Sequence, residues 1–102
     1  MSLQMINKEN FDEIINSNVP VLIDFYADWC GPCRMVGPII EEIAEERDDV
    51  IVGKINVDNN PELAERFNVF SIPTIVVLKD GEEVNRITGA RPKAQILSLL
   101  EG

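Results

Sequence analysis

The chain has 102 residues, 45% apolar and 26% charged, the make-up of one globular domain spanning 1–102 rather than of a disordered or membrane protein. Nine basic against 18 acidic residues give a net charge of −9, which argues against nucleic acid or an anionic membrane as the main partner. Two cysteines are too few for a disulfide framework, and the lack of histidine removes the commonest general base and metal ligand.

The opening Met1-Ser2-Leu3-Gln4-Met5-Ile6 has no basic stretch before an apolar run, so no export leader is expected and the chain is assigned to the cytoplasm, where thiols are kept reduced. Met1, Ser2 and Leu3 are consistent with an appended start, with Met5 near the natural one. Asn7 is placed as the cap of a short amphipathic helix whose apolar residues are Phe11, Ile14 and Ile15. Val19 to Ala27 is almost wholly apolar and β-prone, a strand covered on both faces. A helix is expected from Gly31 to Arg47, with Met35, Val36, Ile39, Ile40, Ile43 and Ala44 as its apolar stripe and the glutamates at 41, 42, 45 and 46 facing water. Pro38 inside it should kink it, since proline cannot donate to the preceding turn.

Val50 to Val57 reads as a second buried strand, and Asn60-Pro61 as the cap and first-turn proline of a short helix from Glu62 to Phe67. Thr74 to Lys79 and Glu83 to Thr88 form a hairpin across Asp80-Gly81. Pro92 opens a last helix carrying Ile96, Leu97 and Leu100. Right-handed crossovers then make the early strands parallel, with helices on both faces of a mixed sheet. The class is α/β.

Cys30-Gly31-Pro32-Cys33 lies where the first long strand ends and the long helix begins. Residues three apart share a helix face at about 5–6 Å between Cβ atoms, so a modest adjustment of one turn opens or closes a disulfide. Cys30 stands at the helix N-terminus, where unpaired N–H groups and the dipole favour a thiolate. It is assigned as the nucleophile, and Cys33, one turn in and expected to be more buried, as the resolving thiol. A zinc site would need two further ligands from a second chain, and a purely structural link across so short a loop removes little unfolded-chain entropy. Asp24, set among Val21, Leu22, Ile23, Phe25 and Tyr26, is a charge in a buried strand whose pKa should rise toward neutrality, giving a base that can work there. Alternation puts it on one face with Leu22 and Tyr26.

The run from Phe25 to Met35, with Trp29-Cys30-Gly31-Pro32-Cys33 at its centre, resembles the active-site signature of the thioredoxin family. The likeness continues through Asp24, Pro38, Lys54 to Asp58, Ser71-Ile72-Pro73-Thr74 and Gly89-Ala90, covering essentially the whole chain. It implies the thioredoxin-like fold, a central mixed five-stranded sheet flanked by four helices in the order β1-α1-β2-α2-β3-α3-β4-β5-α4. It implies reduction of protein disulfides through a reversible Cys30–Cys33 bond, with no cofactor and no metal, and Asp24 helping to deprotonate Cys33 near Lys54. Lys54 read by itself is equally a lysine reaching solvent from a strand edge. The resemblance further implies a cis bond at Pro73 and a docking surface of Trp29, Gly31, Pro32, Ile72, Pro73, Gly89 and Ala90. Recycling would fall to a separate thioredoxin reductase driven by NADPH or ferredoxin, and a monomer is expected to serve many disulfide-containing proteins. Tyr26 where many members carry Trp, Arg34 in place of a frequent Lys, and Phe70-Ser71 ahead of Ile72 are departures that bear on partner choice. A thiol oxidase or isomerase, and an acidic binding module with idle thiols, are the competing functions. Pro32, rather than a cationic residue, between the cysteines favours the reductase.

Overall fold

The computed structural model describes residues 3–101. β1 (Gln4–Met5), α1 (Phe11–Ile15), β2 (Val21–Tyr26), α2 (Gly31–Glu46), β3 (Ile51–Asn56), α3 (Pro61–Arg66), β4 (Thr74–Lys79), β5 (Glu82–Thr88) and α4 (Lys93–Ser98) follow one another along the chain. The five strands form one sheet in the order β1-β3-β2-β4-β5. β3 runs parallel to β1 and β2, while β4 is antiparallel to β2 and β5 to β4. The expected mixed sheet with four helices is therefore present.

Strand alternation sorts the apolar residues into two layers. Val21, Ile23 and Phe25 of β2 meet Phe11, Ile14 and Ile15 of α1 and Leu63 of α3 on one face. Leu22 meets Val36, Ile40 and Ile43 of α2 and Ile96 of α4 on the other. Asp24, two residues from Leu22, therefore points to the α2 side. β2 and β4 are central, so their runs are apolar on both faces, whereas edge strand β5 is half-buried at best.

Several expectations are corrected. Asn7 does not cap α1; Asn10 occupies that position without a side-chain cap bond. Asn7 and Asn10 instead bond each other reciprocally, each Oδ1 accepting the other's backbone N–H, which satisfies donors one turn earlier. Asn60 precedes Pro61 at the start of α3 as expected, but its side chain donates to the Asn56 carbonyl rather than accepting from the helix. Met35 leaves the predicted apolar stripe: it is 70% exposed, and Cys33 and Gly37 take part in the buried face instead. A stripe drawn from residue type alone cannot tell which end of α2 overhangs the sheet. Pro38 sits on the exposed side of α2, and the helix continues through it to Glu46. Strand β1 has no sequence signal beyond two residues, and is held by its parallel register, Gln4 with Gly53 and Met5 with Lys54. Leu3 packs partly buried against the α2 layer, whereas Met1 and Ser2 of the suspected appended start lie outside the described residues.

The hairpin between β4 and β5 is a two-residue turn in which Asp80 (φ 53°) and Gly81 (φ 80°) are both left-handed, the geometry that keeps two twisted strands paired.

Candidate functional site

β2 ends at Tyr26 and α2 begins at Gly31, so the intervening turn brings both cysteines to the C-terminal edge of the central strands. Cys30 and Cys33 are joined as a disulfide, with Cα atoms 5.3 Å apart. Cys30 is the N-cap of α2, and its Sγ accepts the backbone N–H of Cys33 at 3.2 Å. Pro32 sits in the first turn, where its missing N–H leaves no helical bond unmade. The N-cap contact places the donor end of the helix against Cys30, the electrostatic bias that favours a thiolate there.

The expected difference in exposure is not found. Cys30 is 4% and Cys33 5% exposed in the disulfide form, in a buried cluster with Ala27 against which Tyr26, Val57 and Ile72 pack. The asymmetry between the sulfurs lies in the helix terminus instead. Cys30 Sγ is also 3.8 Å from the Ile72 carbonyl oxygen.

The Ile72–Pro73 bond is cis, as the resemblance implied. Ile72 is half-buried, and its N–H has no backbone partner among the described residues. The carbonyl of Pro73 accepts the Gly89 N–H at 2.8 Å, and Gly89 takes φ 94°, which favours glycine. Ile72, Pro73, Gly89 and Ala90 thus form a continuous ledge running away from Cys30. Trp29 is 68% exposed, and its Nε1 donates to Asp58 at 2.8 Å, holding the indole against the next loop. Gly31 has open space around the position a Cβ would take. Phe70, 91% exposed and two residues before Ile72, is the most prominent apolar side chain near the ledge. Sequence reading noted Phe70 only as a departure, and Asp58 only as the end of the Lys54 to Asp58 run, with no role. The signal for Asp58 was available, since an indole N–H beside a functional turn calls for an acceptor.

Asp24 is fully buried, and neither carboxylate oxygen has a hydrogen-bond partner among the described residues. Burial raises its pKa from 3.8 to about 7, and the Lys54 ammonium pulls it back in part. Asp24 and Lys54 are in register across β2 and β3. Lys54 is not a strand-edge lysine: β3 lies between β1 and β2, and the residue is half-buried. Its Nζ sits 4.2 Å from the centre of the Tyr26 ring, and a Cβ added at Gly37 of α2 would lie 3.7 Å from it. The absence of a side chain at Gly37 leaves room for that ammonium. Burial likewise raises the Tyr26 hydroxyl's pKa, against the bond it makes with Asn56. The site therefore has a buried, unpaired carboxylate poised near neutrality beneath the helix that carries both cysteines.

No group of three or more His, Cys, Asp or Glu among the described residues is arranged to hold a metal. No described helix is long and apolar enough to cross a membrane.

A family model described as Thioredoxin matches residues 2–102. The chain belongs to the thioredoxin family. It is 56% identical over 86 residues to thioredoxin of Mycobacterium tuberculosis, covering 83% of this chain and 74% of that protein. It is 47% identical over 98 residues to a bifunctional thioredoxin reductase/thioredoxin of Mycobacterium leprae, covering 95% of this chain and 21% of that one. A solved mutant thioredoxin from Halobacterium salinarum NRC-1 superposes with a TM-score of 0.91 at 39% identity, over 98% of this chain and 88% of that chain. With the Cys-Gly-Pro-Cys pair at bonding distance, family membership makes the chain a protein-disulfide reductase, an oxidoreductase whose redox pair is Cys30 and Cys33. Thioredoxin-family proteins typically work with a thioredoxin reductase.

Proposed function

We propose that Cys30 is the attacking thiolate and Cys33 the resolving thiol, the supporting observation being the Cys33 N–H directed at Cys30 Sγ from the start of α2. In the reduced protein the Cys30 thiolate attacks one sulfur of a substrate disulfide. The substrate S–S bond breaks, a Cys30–substrate disulfide forms, and the first substrate thiolate leaves and takes a proton. Cys33 then gives its proton to Asp24 and attacks Cys30 Sγ. The mixed disulfide breaks, the second substrate thiol leaves, and Cys30–Cys33 is oxidised. A carboxyl with a pKa of about 7 is matched to this proton transfer near neutral pH. Lys54, held over Tyr26, keeps that value from rising further.

The substrate segment lies along Trp29, Gly31, Pro32, Ile72, Pro73, Gly89 and Ala90, pairing its backbone with the free N–H of Ile72 as an added strand. Phe70 extends this surface. Two electrons return from a separate thioredoxin reductase supplied by NADPH or ferredoxin; the fusion of both activities in the M. leprae relative supports such a pairing. The protein acts as a monomer of one domain in the cytoplasm, on many disulfide-containing proteins. Cys33→Ser provides the test: incubated with insulin, it should accumulate a covalent adduct at Cys30 that dithiothreitol releases. An adduct formed equally well by Cys30→Ser through Cys33 would overturn the assignment.

A further inference from the structure

A groove of about 310 Å³ lies beside the ledge, lined by Met35, Val36 and Ile39 of α2 and by Ala90, Arg91 and Pro92 ahead of α4. Its position follows from contacts already described. Cys30 lies against Ile72, Pro73 bonds Gly89, and Ala90 both ends the ledge and begins the groove. On the other side, Met35 follows Cys33 by two residues and is 70% exposed. Met35 thus gives the groove an exposed apolar wall close in sequence to the disulfide.

Arg91 puts a cation on the lining of the groove. In a chain of net charge −9, Lys8, Arg47, Arg66, Arg86 and Lys93 are each satisfied by an internal carboxylate. Arg34, which follows Cys33, and Arg91, in the groove lining, are not. Arg34 donates to the Asp28 carbonyl and Arg91 to the Thr88 carbonyl, and among the described residues neither has a carboxylate within ion-pairing distance. A backbone carbonyl occupies part of a guanidinium fork and leaves its charge uncompensated, so each can still receive a carboxylate. Among the described residues, Arg91 is therefore a cation in the groove lining left without an ion pair, in an acidic protein whose Arg47, Arg66 and Arg86 are paired.

We propose that this groove is a second docking subsite, taking from the disulfide-bearing protein a bulky aliphatic side chain followed by a carboxylate, the first seated on Met35 and Ile39 and the second on Arg91. The inference rests on the reductase reading and adds a substrate preference to it. The ledge engages only backbone and accepts any sequence. The groove would discriminate among sequences by what flanks the cysteine.

Synthetic peptide disulfides carrying Leu-Glu two or three residues from the cysteine, on either side, are compared with the same peptides carrying Ala-Gln. Wild-type protein should favour the best-placed Leu-Glu peptide by about fortyfold in kcat/KM, about 15-fold from roughly two buried methylenes and about threefold from one rim ion pair. Arg91→Gln should cut that preference about threefold, and the loss should vanish at high salt, where the pair is screened in the wild type as well. Met35→Ser should cut it about fivefold at any salt concentration. A wild-type preference near one, or a preference unchanged in both variants, overturns the subsite. A preference that responds to only one of the two residues overturns the combined aliphatic–acidic signature. If the wild type turns over neither peptide class, the reductase reading itself fails, a result distinct from turnover of both classes without preference.

Discussion

Asp24→Asn isolates the cost of the buried carboxylate. In the folded protein the group titrates at about 7 rather than 3.8, since desolvation with no hydrogen bond to either oxygen outweighs the attraction of Lys54. Between those two values the unfolded chain holds Asp24 ionised while the folded chain holds it protonated, so folding takes up a proton. Stability from this group is fully present below pH 3.8 and is lost as pH rises through about 7. At about 1.4 kcal/mol per pH unit, that interval amounts to about 4 kcal/mol, a large share of the ~5–15 kcal/mol that holds such a domain together. The asparagine cannot ionise, and whatever its amide costs in the same cavity does not change with pH. Urea unfolding of the oxidised proteins, followed through the single tryptophan at unit steps from pH 4 to pH 8, should show the variant gaining on the wild type by about 4 kcal/mol, with most of the gain below pH 7. Other carboxylates titrate in both proteins and cancel in the difference. A gap between the two proteins that stays constant over this range would refute the reasoning.

Lys54→Gln removes the cation that lowers the Asp24 pKa, so the carboxyl should titrate above 7, as read from its carbon chemical shift, and resolution of a Cys30-linked substrate should become slower near neutral pH. Gly53→Ala would drive a Cβ into Ile6 Cδ1 and to 3.2 Å from the Gln4 carbonyl, where β1 joins β3. It should destabilise by about 1–3 kcal/mol, and Ile6→Val, which lacks that δ-methyl, should recover part of the loss in a double-mutant cycle by urea unfolding. Phe70→Ser should leave the unfolding midpoint nearly unchanged because the ring is exposed, while raising KM for a protein disulfide about fivefold, equivalent to about 1 kcal/mol of docking.

Much of this site could be read from the order of residues. The change from a β-prone run ending at Tyr26 to a helix opening at Gly31 puts Cys30 at a helix terminus before any coordinates are known. Alternation likewise puts Asp24 on one face with Leu22 and Tyr26, though which helix covers that face is settled only by the packing of α2 on Leu22. Both follow from local periods of two and 3.6, which depend only on neighbours in the chain. Met35 and Lys54 were read less well for a common reason. Whether Met35 is covered depends on how far α2 overhangs the sheet, and whether Lys54 meets water depends on β1 pairing outside β3. Neither is a property of the residues nearby in sequence.

The sequence by itself determined the alternation of strands and helices, the place of the two cysteines at a strand–helix junction, and the charge buried in the central strand. The tertiary structure decided what those features face. It buried Cys30 and Cys33 alike in a cluster packed by Tyr26, Val57 and Ile72, so that the difference between them rests on the helix terminus and not on access. It set Lys54 over Tyr26 and beside Gly37, and among the described residues it left Arg34 and Arg91 without an ion pair. Periodicity is carried by bonds along the backbone, whereas electrostatics and exposure depend on groups that only the folded chain brings within a few ångströms.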